Sequence, residues 1–222
     1  FTAVTNLVSN AGVVASDVTG VGTVRSLAAC GYGEDKGIFG FGYGNTGYES
    51  VTNLVSNAGV VASDVTGVGT ARGYLAATQY GGDKGIFGYG TTGSVTAVTN
   101  LVSNAGVVAT DTTGVGTARK GLAACSYGTD KGIFGFGYSN SNVSMTNLVS
   151  NAGVVATDTT GVGTARRYAA ACEYGSDKGI FGFGYSNSNV SLTNLVSNAG
   201  VVASDVTGVG TARKGLGACS FN

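Results

Sequence analysis

Histidine, proline and tryptophan are absent from this 222-residue chain, and only 11% of its residues are charged. Without histidine, a Ser-His-Asp or Cys-His catalytic arrangement cannot form within the chain. The 12 basic and 12 acidic residues balance, so the sequence offers no basic stripe for a phosphate backbone and predicts no nucleic-acid partner. No apolar run approaches the ~20 residues of a membrane-spanning helix, and we expect no membrane insertion.

The dominant feature that is present is a repeat that begins Thr-Asn-Leu-Val-Ser-Asn-Ala-Gly-Val-Val-Ala. Its copies start at a fixed period of 47 residues, at Thr5, Thr52, Thr99, Thr146 and Thr193. A fixed period of this length indicates an array of one supersecondary unit. Apolar residues make up 43% of the chain, which is enough for a core, and the 40 glycines suit turns and close backbone contacts. We therefore expect a single domain over residues 1–222.

Cysteine is scarce and occupies one equivalent position in four of the repeats: Cys30, Cys125, Cys172 and Cys219. Such positions in neighbouring repeats are poor disulfide partners, because a disulfide requires two Cα atoms within ~7 Å of each other. Metal binding is the less favoured alternative, since no histidine or Cys-x-x-Cys pair accompanies the thiols. We interpret the thiols as small buried apolar side chains and predict neither a metal nor a cofactor.

Each repeat predicts four short strands separated by turn signals. In the third repeat these strands are 118–127, 131–138, 145–149 and 154–157. Glycine, aspartate, asparagine and serine cluster between them, as is typical of turns. No helical period is present.

The second strand of each repeat alternates glycine with aromatic residues. Counting with period two places Phe134, Phe136 and Tyr138 on one face, and Gly135 and Gly137 on the other. We expect the aromatic face of one repeat to lie on the flat glycine face of its neighbour. Each phenyl ring buried in this way would contribute about 1.5–3 kcal/mol.

Four antiparallel strands in a repeat of 40–50 residues are typical of a β-propeller blade. The first, third and fourth strands occur five times, whereas the aromatic strand occurs four times. The sequence thus predicts an all-β propeller of five four-stranded blades. We expect the closing blade to be shared between residues 1–20 and residues 211–222, and to lack one strand. A fragment of a longer chain is the alternative.

The string Arg-x-x-Leu-Ala-Ala followed by Asp-Lys-Gly-Ile-Phe-Gly-Phe-Gly-Tyr resembles the kelch repeat. This resemblance implies a β-propeller that serves mostly as a binding scaffold, with a few enzymes among its relatives. The same strings resemble, more distantly, the repeat proteins of phage virions and their appendages. That resemblance implies an extracellular or virion-associated location, with other subunits of a larger assembly as partners.

Charged residues recur once in every repeat. The arginines are Arg25, Arg72, Arg119, Arg166 and Arg213, and the aspartates are Asp17, Asp64, Asp111, Asp158 and Asp205. We interpret each arginine as a structural link from its strand to a turn carboxylate or a backbone carbonyl, because buried charges need partners. The alternative is a circle of charge that binds ions.

Binding residues are best sought where the repeats differ, in the loop after the aromatic strand and in the residues after each arginine. The candidates are Tyr43, Tyr48, Tyr74, Tyr138, Tyr168, Tyr185, Asn140 and Asn187. Tyrosine and asparagine loops on a rigid scaffold suit recognition of a protein surface or a glycan. Neutral variation of exposed loops is the alternative interpretation.

These observations favour a non-enzymatic structural or recognition module. A multivalent lectin with one shallow site per blade is an alternative. The near-identity of whole repeats makes an engineered or consensus propeller scaffold a second alternative. An enzyme is disfavoured, since the four equal Asp-Lys pairs leave no unique perturbed environment and the three glutamates share no repeat position.

Overall fold

The computed structural model describes residues 1–220 and contains strands and turns but no helix in this range. Consequently, no helix among these residues could cross a membrane. The strands are, in chain order, β1 (Arg25–Tyr32), β2 (Lys36–Gly44), β3 (Tyr48–Val55), β4 (Ala76–Tyr80), β5 (Lys84–Gly88), β6 (Thr99–Val102), β7 (Ala123–Tyr127), β8 (Lys131–Gly135), β9 (Tyr138–Ser139), β10 (Ser141–Asn142), β11 (Thr146–Val149), β12 (Ala170–Tyr174), β13 (Lys178–Gly182), β14 (Tyr185–Ser186), β15 (Ser188–Asn189) and β16 (Thr193–Val196).

Twelve of these strands form four three-stranded antiparallel sheets. We number them sheet 1 (β1-β2-β3), sheet 2 (β4-β5-β6), sheet 3 (β7-β8-β11) and sheet 4 (β12-β13-β16). The aromatic strand lies in the middle of each sheet, and the register repeats. In sheet 3, for example, Ile133 lies opposite Cys125 on one side and Leu148 on the other. The all-β prediction is confirmed.

The loop after the aromatic strand is more ordered than the sequence predicted. In the third and fourth repeats it forms the two-stranded hairpins β9-β10 and β14-β15. Asn140 and Asn187 turn these hairpins with left-handed φ angles of 62° and 61°. Asparagine tolerates this conformation better than most residues, so the polar Ser-Asn-Ser-Asn string closes a tight turn.

The predicted fourth strand is replaced by two isolated bridges. Val155 pairs with Val149, and Thr159 pairs with Thr146, so the outer segment has one extra residue between its bridges. Between them, the Asn147 side-chain amide donates to the Ala156 carbonyl at 3.0 Å. The ladder is interrupted because a side chain takes the place of backbone hydrogen bonds. The predicted reversal at Gly153 is confirmed, with φ at 78°.

The predicted face of the second aromatic residue is wrong. Strand β8 ends at Gly135, and Phe136 has a left-handed φ of 62°. This conformation breaks the period-two alternation, so Phe134 faces sheet 2 and Phe136 faces sheet 4. The Phe134 phenyl ring lies 5.2 Å from that of Tyr89, and the Phe136 phenyl ring lies 5.2 Å from that of Phe181. Both faces of the middle strand therefore carry an aromatic ring.

Aromatic rings lie directly on the glycines of the preceding sheet, as predicted. The three pairs are Phe87 on Gly40, Phe134 on Gly88 and Phe181 on Gly135. These three phenylalanines are fully buried. A Cβ atom added to Gly88 would lie 2.7 Å from the Phe134 ring, so glycine is required for the rings to approach this closely. The sheets thus stack face to face in sequence order.

The first strands of the sheets border one shared space. A cavity of about 240 Å³ is lined by residues from all five repeats, which are 29–31, 77–79, 125–126, 171–173 and 218–220. The fifth set belongs to residues 211–220, which we call the C-terminal segment. Residues 5–18 form an outer hairpin held by the bridges Thr5 to Val18 and Val8 to Val14, which we call the N-terminal hairpin.

The four thiols are unpaired and differ in burial. The sulfur atoms of Cys30 and Cys125 lie against Gly85 and Gly179 of the following sheet. Burial raises the pKa of each of these two thiols to about 12. Cys125 is buried, Cys30 and Cys172 are half-buried, and Cys219 is exposed. The prediction of four buried thiols is therefore wrong for Cys219, on which no following glycine strand packs among residues 1–220.

We predict that Gly88→Ala lowers the free energy of unfolding by about 1–3 kcal/mol, because the added methyl group overpacks the contact with Phe134. Urea denaturation measures this change. Gly217→Ala is the matched control, since Gly217 is exposed and a Cβ atom there would meet nothing within 4 Å. Its effect should stay within about 0.5 kcal/mol. Equal stability of both variants would contradict the required contact between glycine and the aromatic ring.

Candidate functional site

A second cavity borders the residues that follow each repeated arginine. Its volume is about 220 Å³, and it is lined by Ser26, Leu27, Tyr74, Leu75, Gly121, Leu122, Tyr168, Ala169, Gly215 and Leu216. Ser26, Tyr74, Gly121, Tyr168 and Gly215 share a position at which the repeats differ, whereas the next position is leucine in four of the five repeats. Since all five repeats contribute, residues far apart in sequence meet at one place on the surface.

Four of the predicted binding residues form a continuous series of aromatic contacts beside this cavity. The ring centroids of Tyr43 and Tyr48 are 5.1 Å apart, those of Tyr43 and Tyr74 are 6.3 Å apart, and those of Tyr74 and Tyr168 are 6.4 Å apart. Tyr43 and Tyr74 stack with an angle of 22° between their planes. Both side chains are exposed, at 37% and 43% respectively. The site therefore presents phenol faces to solvent.

Two cations connect the remaining tyrosines to this series. The Arg167 guanidinium lies 4.7 Å from the Tyr138 ring, 5.6 Å from the Tyr168 ring and 5.1 Å from the Tyr185 ring. The Lys214 ammonium lies 4.3 Å from the Tyr185 ring. Cation–π contacts of this kind are worth about 0.5–2 kcal/mol each. We call Tyr43, Tyr48, Tyr74, Tyr138, Tyr168 and Tyr185 the tyrosine cluster.

Backbone hydrogen bonds hold the tyrosines at the cavity. Gly121 N donates to Tyr74 O at 2.8 Å, Tyr168 N donates to Gly121 O at 2.7 Å, and Gly215 N donates to Tyr168 O at 3.0 Å. Tyr74 and Tyr168 have left-handed φ angles of 54° and 55°. This conformation costs a bulky residue about 1–3 kcal/mol and is often found at functional sites. Gly121 and Gly215 occupy the same position in their repeats without that cost.

The two predicted asparagines lie apart from the aromatic contacts. Asn140 and Asn187 are exposed at the hairpin turns. The nearby Asn142 side chain instead donates to the Tyr185 carbonyl at 3.3 Å and accepts from Arg167 at 3.5 Å. Sequence reasoning did not select Asn142, Arg167 or Lys214 as binding residues. Arg167 and Lys214 each directly follow a repeated arginine, at a position where the repeats differ. Comparison of the repeats could therefore have identified them.

The repeated arginines are structural, as predicted, in all four sheets. Arg119 is fully buried and donates to Phe136 O at 2.9 Å, Thr117 O at 3.1 Å and Asn147 Oδ1 at 2.6 Å. Its guanidinium also lies 4.3 Å from the Tyr89 ring of the preceding sheet. Arg25, Arg72 and Arg166 donate through Nε to the corresponding carbonyl in their own sheets. Burial lowers the pKa of Arg72 and Arg166 to about 10 each, so both remain charged at neutral pH.

The repeated aspartates complete this network. Asp158 accepts from the Thr117 amide at 2.9 Å, from the Thr117 hydroxyl at 2.6 Å and from the Asn147 amide at 2.9 Å. Burial alone would raise the pKa of Asp158, but these hydrogen bonds and the nearby Arg119 charge lower it. The pKa values of Asp64, Asp111 and Asp205 are lowered in the same way. The carboxylates therefore link the two ends of each sheet rather than forming an ion site.

Chemically, the tyrosine cluster offers flat apolar faces, phenol hydroxyls and two cationic donors. No group of three or more cysteine, aspartate or glutamate side chains among residues 1–220 is placed to hold a metal ion. No protein-family model matches the chain, and no curated protein matches its sequence. The kelch-type identity thus stays a prediction.

We predict that Arg119→Lys lowers the free energy of unfolding by about 2–4 kcal/mol. One ammonium cannot span the three acceptors that the planar guanidinium reaches, and unsatisfied buried acceptors cost about 1–3 kcal/mol each. Arg213→Lys is the control, because Arg213 is exposed, its side chain donates to Thr211 O alone among residues 1–220, and a lysine can keep the cationic contact with the Phe183 ring. Urea denaturation should find that variant within about 0.5 kcal/mol of the unaltered protein. A similar loss in both variants would contradict the structural role of the buried arginines.

Proposed function

We propose that the chain is a five-bladed, kelch-like β-propeller that acts as a non-enzymatic recognition module, and that the tyrosine cluster is its binding surface. One observation carries the proposal. Tyrosines from repeats that are far apart in sequence converge beside a single cavity whose lining comes from all five repeats. A rigid frame of sheets with variable residues at one end is the usual design of a binding scaffold.

The propeller arrangement is supported by the two cavities that all five repeats line. In this arrangement sheets 1 to 4 are blades around a common axis. The N-terminal hairpin supplies the outer part of a fifth blade, and the C-terminal segment supplies its inner strand. An extracellular or virion-associated setting within a larger assembly belongs to the same proposal and follows from the resemblance to phage repeat proteins.

The chemistry of the tyrosine cluster indicates the kind of ligand. Arg167 and Lys214 lie over its rings, whereas no carboxylate lines the cavity. A partner with a flat apolar face and acidic groups would match both features, as an acidic patch of a protein surface would. A lectin function is favoured by the near-parallel, exposed rings of Tyr43 and Tyr74, because a sugar ring could lie against such a platform.

The test uses sulfated dextran as an acidic probe and uncharged dextran as its control, each immobilised on a sensor surface. We expect binding to the sulfated polymer that weakens as salt is added. Tyr74→Gly removes an exposed ring and copies the residue found at Gly121, so the backbone keeps its left-handed conformation without strain. We expect this variant to bind about tenfold more weakly, or ~1.4 kcal/mol, while its free energy of unfolding is unchanged or higher.

Val107→Ala is the control, because Val107 is 65% exposed at a turn and lies outside the tyrosine cluster. Its binding should equal that of the unaltered protein. If Tyr74→Gly binds sulfated dextran normally, or if it binds weakly only because it unfolds, the tyrosine cluster is not the binding surface. A glycan array then decides between the two ligand classes, since a lectin must also bind defined sugars.

A further inference from the structure

Among residues 1–220, the fifth repeat lacks a middle strand. Its outer part is the N-terminal hairpin and its inner part is the C-terminal segment, but the aromatic strand occurs four times in the sequence. In sheets 1 to 4 the segment equivalent to Thr5–Val8 pairs with a middle strand, as β11 pairs with β8. The edge of Thr5–Val8 that faces away from its hairpin partner has no strand paired to it among residues 1–220.

The face of sheet 1 that points away from sheet 2 is exposed, whereas the equivalent faces of sheets 2 and 3 are covered. Leu27 is 40% exposed, whereas the equivalent Leu75 and Leu122 are 9% and 6% exposed. Phe39 is half-buried, whereas its equivalent Phe87 is fully buried. A groove of about 230 Å³ separates residues 2–5 from Leu27 and Phe39. The position that a glycine strand of a preceding sheet would occupy is therefore open.

The face of sheet 4 that points away from sheet 3 is also only partly covered among residues 1–220. Ile180 and Phe183 are half-buried, whereas their equivalents Ile133 and Phe136 are fully buried. Among residues 1–220, no phenyl ring lies on Gly182, although one lies on the equivalent glycine of each other sheet. No following glycine among residues 1–220 covers the Cys172 sulfur as Gly85 covers that of Cys30 and Gly179 covers that of Cys125.

The arginine of the fifth repeat, Arg213, also lacks the backbone acceptor that the other repeated arginines have among residues 1–220. The Arg213 guanidinium lies 4.0 Å from the Phe183 ring, as Arg72, Arg119 and Arg166 lie on rings of their preceding sheets. The other four repeated arginines donate through Nε to the carbonyl of the second aromatic residue that follows their own middle strand or lies within it. Among residues 1–220, the Arg213 side chain donates one hydrogen bond, to Thr211 O. An added strand would supply the equivalent carbonyl.

We propose that this groove is a strand-acceptor site that binds an additional extended segment of the pattern Gly-Ile-Phe-Gly-Phe-Gly. The occupant is defined by three interfaces already present in the molecule, in which such a strand contacts a glycine of the preceding sheet on one side and a phenyl ring of the following sheet on the other. It is none of the middle strands of sheets 1 to 4, because β2, β5, β8 and β13 are each paired on both edges. Recognition would combine backbone pairing with pockets for alternate side chains. The proposal rests on the five-bladed arrangement but not on the ligand of the tyrosine cluster.

The test adds a synthetic peptide, Asp-Lys-Gly-Ile-Phe-Gly-Phe-Gly-Tyr, to the 222-residue protein carrying Cys219→Ser. The rate at which iodoacetamide alkylates Cys172 is followed by mass spectrometry of tryptic fragments, with Cys30 and Cys125 as internal references. We expect saturating peptide to slow alkylation of Cys172 by about tenfold, because the peptide covers the sulfur and access then requires its release. The matched control peptide has valine for the glycine between the two phenylalanines, and should give no protection because valine clashes with Phe39.

Protection by the glycine peptide alone, retained in the Tyr74→Gly variant, supports the strand-acceptor site even if sulfated dextran fails to bind. Three results overturn the proposal. The first is an unchanged rate of Cys172 alkylation at the highest peptide concentration. The second is equal protection of Cys172 by the valine peptide. The third is a dimer in which Cys172 is already protected without peptide. The last result would mean that a second copy of the chain covers the groove.

Discussion

The close contact between an aromatic ring and a glycine backbone determines how the sheets of this protein stack. Phe134 approaches Gly88 so closely that no side chain fits at that position. Because the same pair recurs between every two consecutive sheets, each sheet must present both a glycine face and an aromatic face. This requirement explains why the middle strand varies so little from repeat to repeat.

Two further features depend on that contact. The left-handed backbone at Phe136 turns a second ring toward the following sheet, so both sheets contribute an aromatic residue to each interface. The buried Arg166 then lies on that ring while it donates to the carbonyl directly after the middle strand, to the Thr164 carbonyl and to Asn194 of the third strand of its own sheet. The same arginine side chain thus stabilises both the stacking of neighbouring sheets and the hydrogen bonding within its own sheet. Variation is tolerated in the residues directly after the arginine, where the tyrosine cluster lies.

Much of this could be predicted from the repeat itself. The period, the turns, the position of the aromatic strand and its packing on glycine all follow from patterns of side-chain size and turn residues. The face of Phe136 could not be predicted, because a left-handed bulky residue contradicts its own local preference and is held by packing. The replacement of the fourth strand by a hydrogen bond from the Asn147 amide could not be predicted either, because a side-chain hydrogen bond produces no periodic pattern in the sequence. The prediction for Cys219 failed because its burial depends on a strand that the fifth repeat does not contain.

The central claim is that the stacked sheets curve around one axis, so that the fifth repeat lies beside both sheet 4 and sheet 1. Val13, Val60, Val107 and Val201 occupy equivalent exposed turns of the first, second, third and fifth copies of the 47-residue repeat. Spin labels can be placed there after the four cysteines are replaced by threonine, the residue found at Thr78. The account predicts that the Val13–Val201 distance equals the Val60–Val107 distance, because both pairs belong to adjacent blades. A straight stack, with sheets about 10 Å apart, would make the Val13–Val201 distance about four times longer and would contradict the account.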